Sequence, residues 1–125
     1  MSENEISYLI IGKAIEIDKE LGPGLLESVY ENTLAFELNN LGLFVEQQVA
    51  MPLIYKSIKL ACGYRMDLRV EKKVIVEFKS VETIAPVHFV QTLTYTRLSG
   101  CKLGLLINFK TILLKDGIQR VVNNL

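Results

Sequence analysis

A hairpin pattern whose loop must hold an odd number of residues constrains this chain more than any other feature. Its first arm is Tyr64-Arg65-Met66-Asp67-Leu68-Arg69-Val70 and its second Val74-Ile75-Val76-Glu77-Phe78-Lys79. Side chains alternate faces along a strand, so Met66, Leu68 and Val70 share one face and Arg65, Asp67 and Arg69 the other. On the second arm Val74, Val76 and Phe78 lie opposite Ile75, Glu77 and Lys79. Matching the apolar faces requires an odd loop, because a slip of one residue turns every side chain over. A loop of Glu71-Lys72-Lys73 sets Val70 against Val74 and Asp67 against Glu77.

Opposed strand residues have Cβ atoms roughly 4.5–5.5 Å apart, and like charges there are destabilising. Two such carboxylates want a proton or a cation between them. Arg65, Arg69 and Lys79 could supply charge, and the oxygens equally suit Mg²⁺, which takes one or two carboxylates with water and phosphate. Lys79 follows Glu77 by two residues and shares its face. A strand with a solvated charged face is the alternative.

Composition narrows the function classes. The chain has 125 residues, half of them hydrophobic, enough for one compact domain spanning residues 1–125. Its 14 basic and 14 acidic residues cancel, so no global field draws it to nucleic acid or membrane. Cys62 and Cys101 show no metal-ligand spacing, and one histidine cannot build a zinc cage, although a disulfide stays open. The acidic opening Ser2-Glu3-Asn4-Glu5 is unlike a signal peptide, and no apolar run nears the ~20 residues of a membrane span. The expected location is cytoplasmic, with no membrane partner.

Along the chain, residues 5–20 have helical spacing at Tyr8, Ile11, Ile15 and Leu21, stopped by Gly22-Pro23-Gly24. A second helix is expected from Leu26 to Leu41, ending at Gly42. Short strands follow at Val45–Val49 and Leu53–Leu60, then the hairpin. Pro86 fits the first turn of a third helix, with Thr83 as its cap and Gly100 as its terminator. Lys102–Asn108 reads as a buried strand, and Lys115-Asp116-Gly117 as a tight turn leading to a hairpin. Two helices, strands, a helix and strands again make an α/β or α+β sandwich.

Three further places carry polar residues of interest. Glu27, Leu34 and Leu41 fall on nearly one line of the second helix. An acid there either exploits the dipole and free amides of the first turn or points at Asp67 and Glu77 as a ligand. In the third helix His88, Gln91 and Tyr95 share a face, with Val87, Val90, Leu93 and Thr94 covering the other side. That polar stripe is either solvent-exposed or turned to the site, since its helix follows the strand of Glu77 and Lys79.

Asp67 and Glu77-Phe78-Lys79 on adjacent hairpin strands resemble the PD-(D/E)XK nuclease superfamily. Gly24-Leu25-Leu26-Glu27-Ser28-Val29-Tyr30 resembles the name motif of the small bacterial GxxExxY family of predicted nucleases. Gly63–Asp67, Leu105–Phe109 and Leu114–Ile118 are similar to that family too, and the likeness covers about residues 8–122. Met66 stands where the motif has proline, a proline often missing in the superfamily. The resemblance implies an α/β, restriction-endonuclease-like αβββαβ core with a mixed sheet flanked by helices. It also implies Mg²⁺ (or Mn²⁺) on Asp67, Glu77 and the Phe78 carbonyl, with Glu27 as a further ligand. Lys79 would orient the attacking water or stabilise charge on phosphate, making Lys79, Asp67 and Glu77 the catalytic set. Gln91 and Tyr95 are similar to a Gln-xxx-Tyr element of some exonuclease branches, with Arg65 and His88 as supporting residues.

The expected function is therefore metal-dependent hydrolysis of phosphodiester bonds in DNA or RNA. Balanced charge favours the alternative of a catalytically silent nucleic-acid-binding or regulatory module, and the apolar fraction that of an oligomerisation module. The small size calls for a homodimer or partner protein to complete the substrate surface.

Overall fold

The computed structural model describes the backbone throughout and all side chains except those of residues 61–64. The open question of a Cys62 disulfide and the Gly63-Tyr64 part of the resemblance lie outside the described residues. Ser2 caps α1 (Glu3–Leu21) through a reciprocal box, its hydroxyl accepting from the Glu5 amide at 3.1 Å and its own amide donating to Glu5 at 3.0 Å. The buried stripe of α1 is Ile6, Ile10, Ala14 and Ile17. Tyr8 and Leu21 of the expected stripe are exposed, because the Ile6 register lays four small or aliphatic residues continuously on the sheet. After the Gly22–Leu26 loop, α2 (Glu27–Asn40) buries Tyr30, Glu31, Leu34, Ala35 and Leu38, while Leu41 is exposed. Gly42, with φ 84°, supplies the left-handed turn that ends the helix.

The short strands expected at Val45–Val49 and Leu53–Leu60 are instead parts of one long hairpin, β1 (Val45–Tyr55) and β2 (Ile58–Val70). Lys56 and Ser57 turn it, both with positive φ, as a tight two-residue hairpin connection requires. Strand β3 (Val74–Lys79) returns antiparallel to β2, with Val70 against Val74 and Leu68 against Val76 as the pattern requires. Helix α3 (Pro86–Ser99) then crosses over, so that β4 (Leu103–Asn108) runs parallel to β3, and β5 (Ile118–Val122) closes the far edge antiparallel to β4. The turn at Leu114–Gly117 is a single 3-10 turn. Among the described residues the sheet has five strands in the order β1-β2-β3-β4-β5.

Helices α1 and α2 cover one face of the sheet, with Leu68, Val70, Val74, Val76, Phe78, Leu103, Leu105 and Ile107 beneath them. On the opposite face Tyr95 of α3 packs with Met51, Met66, Ile75 and Cys101. Helix α3 lies close there because Gly104 has no side chain. A Cβ on Gly104 would meet Thr92 Cγ2 at 2.8 Å and Thr96 Cγ2 at 3.2 Å. Of the two placements open to the polar stripe of α3, the structure takes the inward one: Val87 and Val90 are exposed, while Thr92, Tyr95 and Thr96 are buried against the sheet. His88 and Gln91 are half-buried on that same sheet-facing side. Thr83 is not the cap, since the helix starts after Ala85, whose amide donates to His88 Nδ1 at 3.0 Å. Gly100 ends α3 with φ 75°.

Phe78 lies 1% exposed beneath the Phe109 ring, with ring centroids 6.1 Å apart, and Phe109 stacks in turn on Tyr30 at 3.9 Å. Phe78→Ala should cost roughly 3–5 kcal/mol in urea unfolding, the range for truncating a buried aromatic side chain.

Candidate metal and catalytic site

Among the described residues of β2, the alternation fails at Asp67. Leu68 and Val70 face α1 and α2, but Met66, expected beside them, packs with Ile75 and Tyr95 on the other face. The partner strand turns over at the same level, since Gln47 pairs with Leu68 and Val49 with Met66 across a left-handed Gln48, φ 51°. A non-glycine residue in that conformation costs roughly 1–2 kcal/mol. This reversal lets the adjacent Gln47 and Gln48 side chains reach the same carboxylate. Gln48 Nε2 donates to Glu31 Oε1 at 2.6 Å, and Gln47 Nε2 to Glu31 Oε2 at 3.1 Å.

Backbone pairing between β2 and β3 stops at Leu68–Val76, and the next level is Asp67 opposite Glu77. There the carboxylates replace the ladder. The Asp67 amide donates to Glu77 Oε1 at 3.3 Å, and the Phe78 amide to Asp67 Oδ2 at 2.9 Å. In an extended strand the N–H and C=O of one residue point to the same edge, so the Phe78 carbonyl also faces the Asp67 side. Glu77 is 6% exposed. Burial, and after it the neighbouring Asp67 carboxylate, push the Glu77 carboxyl up to about 9.

Lys79, half-buried, follows at the end of β3, its carbonyl accepting from the Phe109 amide at 3.0 Å. Glu27 is the exposed first residue of α2, the position where the helix dipole favours an acid. Its Oε2 also accepts from the Ser80 amide at 2.9 Å, which sets it one residue beyond Lys79. Tyr30 holds the preceding loop, its hydroxyl donating to the Gly22 carbonyl at 2.5 Å and accepting from the Leu25 amide at 3.2 Å. Gly24 adopts φ 96°, which a side chain would strain. The glycine, glutamate and tyrosine of the Gly24–Tyr30 motif thus have three separate tasks: bending the loop, reaching the end of β3, and pinning the loop to the aromatic stack.

The other expected site residues are placed differently. Arg69 is committed to Glu46 through two bonds of 2.8 and 2.9 Å, and so does not serve Asp67. Arg65 is exposed on β2. His88 Nδ1 is engaged at the start of α3, and Gln91 Nε2 donates to the Tyr95 hydroxyl at 3.1 Å. Tyr95 packs on Ile75, two residues before Glu77 on the same face of β3. Glu31 and Gln48 did not emerge from the sequence. Glu31 lies three residues before Leu34 and seven before Leu38, on the buried stripe of α2, and that spacing could have revealed it.

Among the described residues, no three His, Cys, Asp or Glu side chains converge as a metal cage. The donors that do meet are two carboxylates and a backbone carbonyl edge, the hard oxygen set that Mg²⁺ or Mn²⁺ accepts while keeping water. The residues fit such an ion, since a cation can replace the proton that burial otherwise keeps on Glu77.

The sign of the pH dependence follows. An unfolded glutamate titrates near 4.5 and the folded Glu77 near 9, so between them the folded chain holds a proton that the unfolded chain releases. Stability from this group is complete below about pH 4.5 and is lost as the pH rises towards about 9. In the presence of chelator the melting temperature should fall across that window, and Glu77→Gln should flatten the fall.

A family model of the PD-(D/E)XK nuclease superfamily matches residues 4–121. No curated protein and no solved structure matches the chain. The superfamily implies a nucleic-acid substrate and generally uses divalent metals. No helix among the described residues is long and apolar enough to cross a membrane. With the mixed sheet, the interlocked Asp67 and Glu77, and a match over nearly the whole length, this chain belongs to the PD-(D/E)XK nuclease superfamily.

Proposed function

We propose that this protein is a Mg²⁺- or Mn²⁺-dependent nuclease of the GxxExxY type that hydrolyses phosphodiester bonds. The observation that carries the reading is the exchange between Asp67 and Glu77 at the end of the β2–β3 ladder, with the buried Glu77 in need of a proton or a cation. Asp67, Glu77 and the Phe78 carbonyl would hold the ion, which would supply a nucleophilic water at neutral pH and neutralise charge on phosphate. Lys79, on the same face as Glu77, would set an ammonium beside the phosphate oxygens and orient the attacking water. Glu27 fixes the Ser80 amide and thereby the chain that leaves Lys79; a bridging water could extend it to the ion. Gln91 and Tyr95 would support the α3 side of the site, and a second copy or a partner protein would extend the substrate surface. A silent nucleic-acid-binding module is the second reading, favoured by the balanced charge.

Calorimetry with Mn²⁺ tests the metal. Binding near neutral pH should release about one proton, seen as a dependence of the heat on buffer ionisation enthalpy, and should tighten as the pH rises towards about 9. Glu77→Ala should lose both the binding and the metal-induced rise in melting temperature; equal rises in the two proteins would exclude this ion site.

Cleavage assays on single- and double-stranded DNA and RNA test the reaction. Lys79→Ala should abolish cleavage while leaving Mn²⁺ affinity within a few-fold, because the ammonium is not a ligand. Lys79→Arg should also be poor, since a planar fork does not replace a compact charge. If the wild type binds Mn²⁺ and cuts none of these substrates, the silent-module reading takes over.

A further inference from the structure

Gln48 combines a strained backbone with a side chain that joins two acids. Its Nε2 donates to Glu31 Oε1 at 2.6 Å and also lies 3.3 Å from Asp67 Oδ1. Glu31 is 8% exposed, and its other oxygen accepts from Gln47, whose Nε2 also donates to Asn32 Oδ1 at 2.7 Å. The result is a directed chain from α2 through β1 to Asp67. An ionised carboxylate only accepts, so Glu31 requires the NH₂ end of the Gln48 amide and Asp67 receives the remaining N–H. The Phe78 amide on Oδ2 and Gln48 on Oδ1 thus give each oxygen of the Asp67 carboxylate its own partner.

Gln47 by itself already ties β1 to α2, through Glu31 and Asn32. Anchoring the helix therefore does not require Gln48 to be left-handed. Reaching Asp67 and Glu31 together does, because the residue after Gln47 in a regular strand would point to the opposite face.

We infer that Gln48 is a positioning residue for Asp67, with Glu31 fixing the direction of its amide. In its consequence for the metal this inference rests on the function proposed above. Its geometric part stands without it.

Two variants separate the side chain from the backbone. Gln48→Gly keeps the left-handed conformation and removes the amide. Gln48→Asn tolerates that conformation, but its side chain is one carbon shorter and cannot span both acids. The probes are Mn²⁺ titration by calorimetry, thermal melting, and hydrogen exchange of the Phe78 amide in metal-free protein. The expected result for both variants is a 10- to 100-fold loss of Mn²⁺ affinity, the usual effect of removing an outer partner of a ligand. Phe78 should exchange faster relative to Val76, while the melting temperature stays within a few degrees of the wild type. Unchanged Phe78 exchange in Gln48→Gly would overturn the inference, as would an affinity that falls only in step with melting temperature. If the wild type binds no Mn²⁺, the metal reading fails, and Phe78 exchange alone decides the role of Gln48.

Discussion

The site depends on where β2 and β3 stop pairing through their backbones. Had the ladder run on regularly to Met66 and Phe78, the Phe78 amide would have bonded to a backbone carbonyl and Asp67 would have lost it as a partner. Instead each carboxylate takes an amide from the other strand, at 3.3 and 2.9 Å. The bonds that complete the hairpin also bring two carboxyl groups together in a buried place, which is why Glu77 keeps a proton. Val74, Ile75, Val76 and Phe78 hold β3 in that position on both of its faces.

Two independent supports hold that junction from the helix side. One is the aromatic column of Tyr30, Phe109 and Phe78, which joins the start of α2 to the ends of β3 and β4. The other is polar, running through Glu31 and the two glutamines of β1. They meet α2 at neighbouring residues, so a shift of this one helix would move the Glu27–Ser80 contact and the Glu31–Gln48 contact together. Positions of side chains in β2, β3 and β1 are thus all referred to a single rigid element, the arrangement that a preorganised site requires.

The parts legible in the sequence were those where one physical rule acts alone. The register of Val70 on Val74 followed from strand parity, and the limits of α3 followed from Pro86 and Gly100. The misses are places where a local rule was overridden. Lys56-Ser57 turns a hairpin with both residues at positive φ but carries neither glycine nor asparagine, so no turn was visible. Met66 followed parity in the sequence but not in the fold, because the left-handed Gln48 turns the strand pair over between levels. For α3 the sequence left two placements of the polar stripe open, and Gly104 decides between them by admitting threonines against the sheet and leaving Val87 and Val90 outside. Of the candidate site, Asp67, Glu77 and Lys79 were visible as a pattern, whereas Glu31 and Gln48 acquire meaning only once three elements come together.

Strand β1 lies at the margin of the sheet, and eleven residues of open edge would ordinarily offer a template to any extended chain. The irregularities of this strand break that template into short pieces. Gln48 interrupts the row of outward N–H and C=O groups, and Pro52, at the register shift between Met51 and Leu53, has no N–H to offer. What remains is Val45–Gln47, Val49–Met51 and Leu53–Tyr55, each only half the six or seven residues of a typical amyloid-forming segment. The backbone distortion at Gln48 therefore divides the open edge of β1 as well as shaping the site beside it.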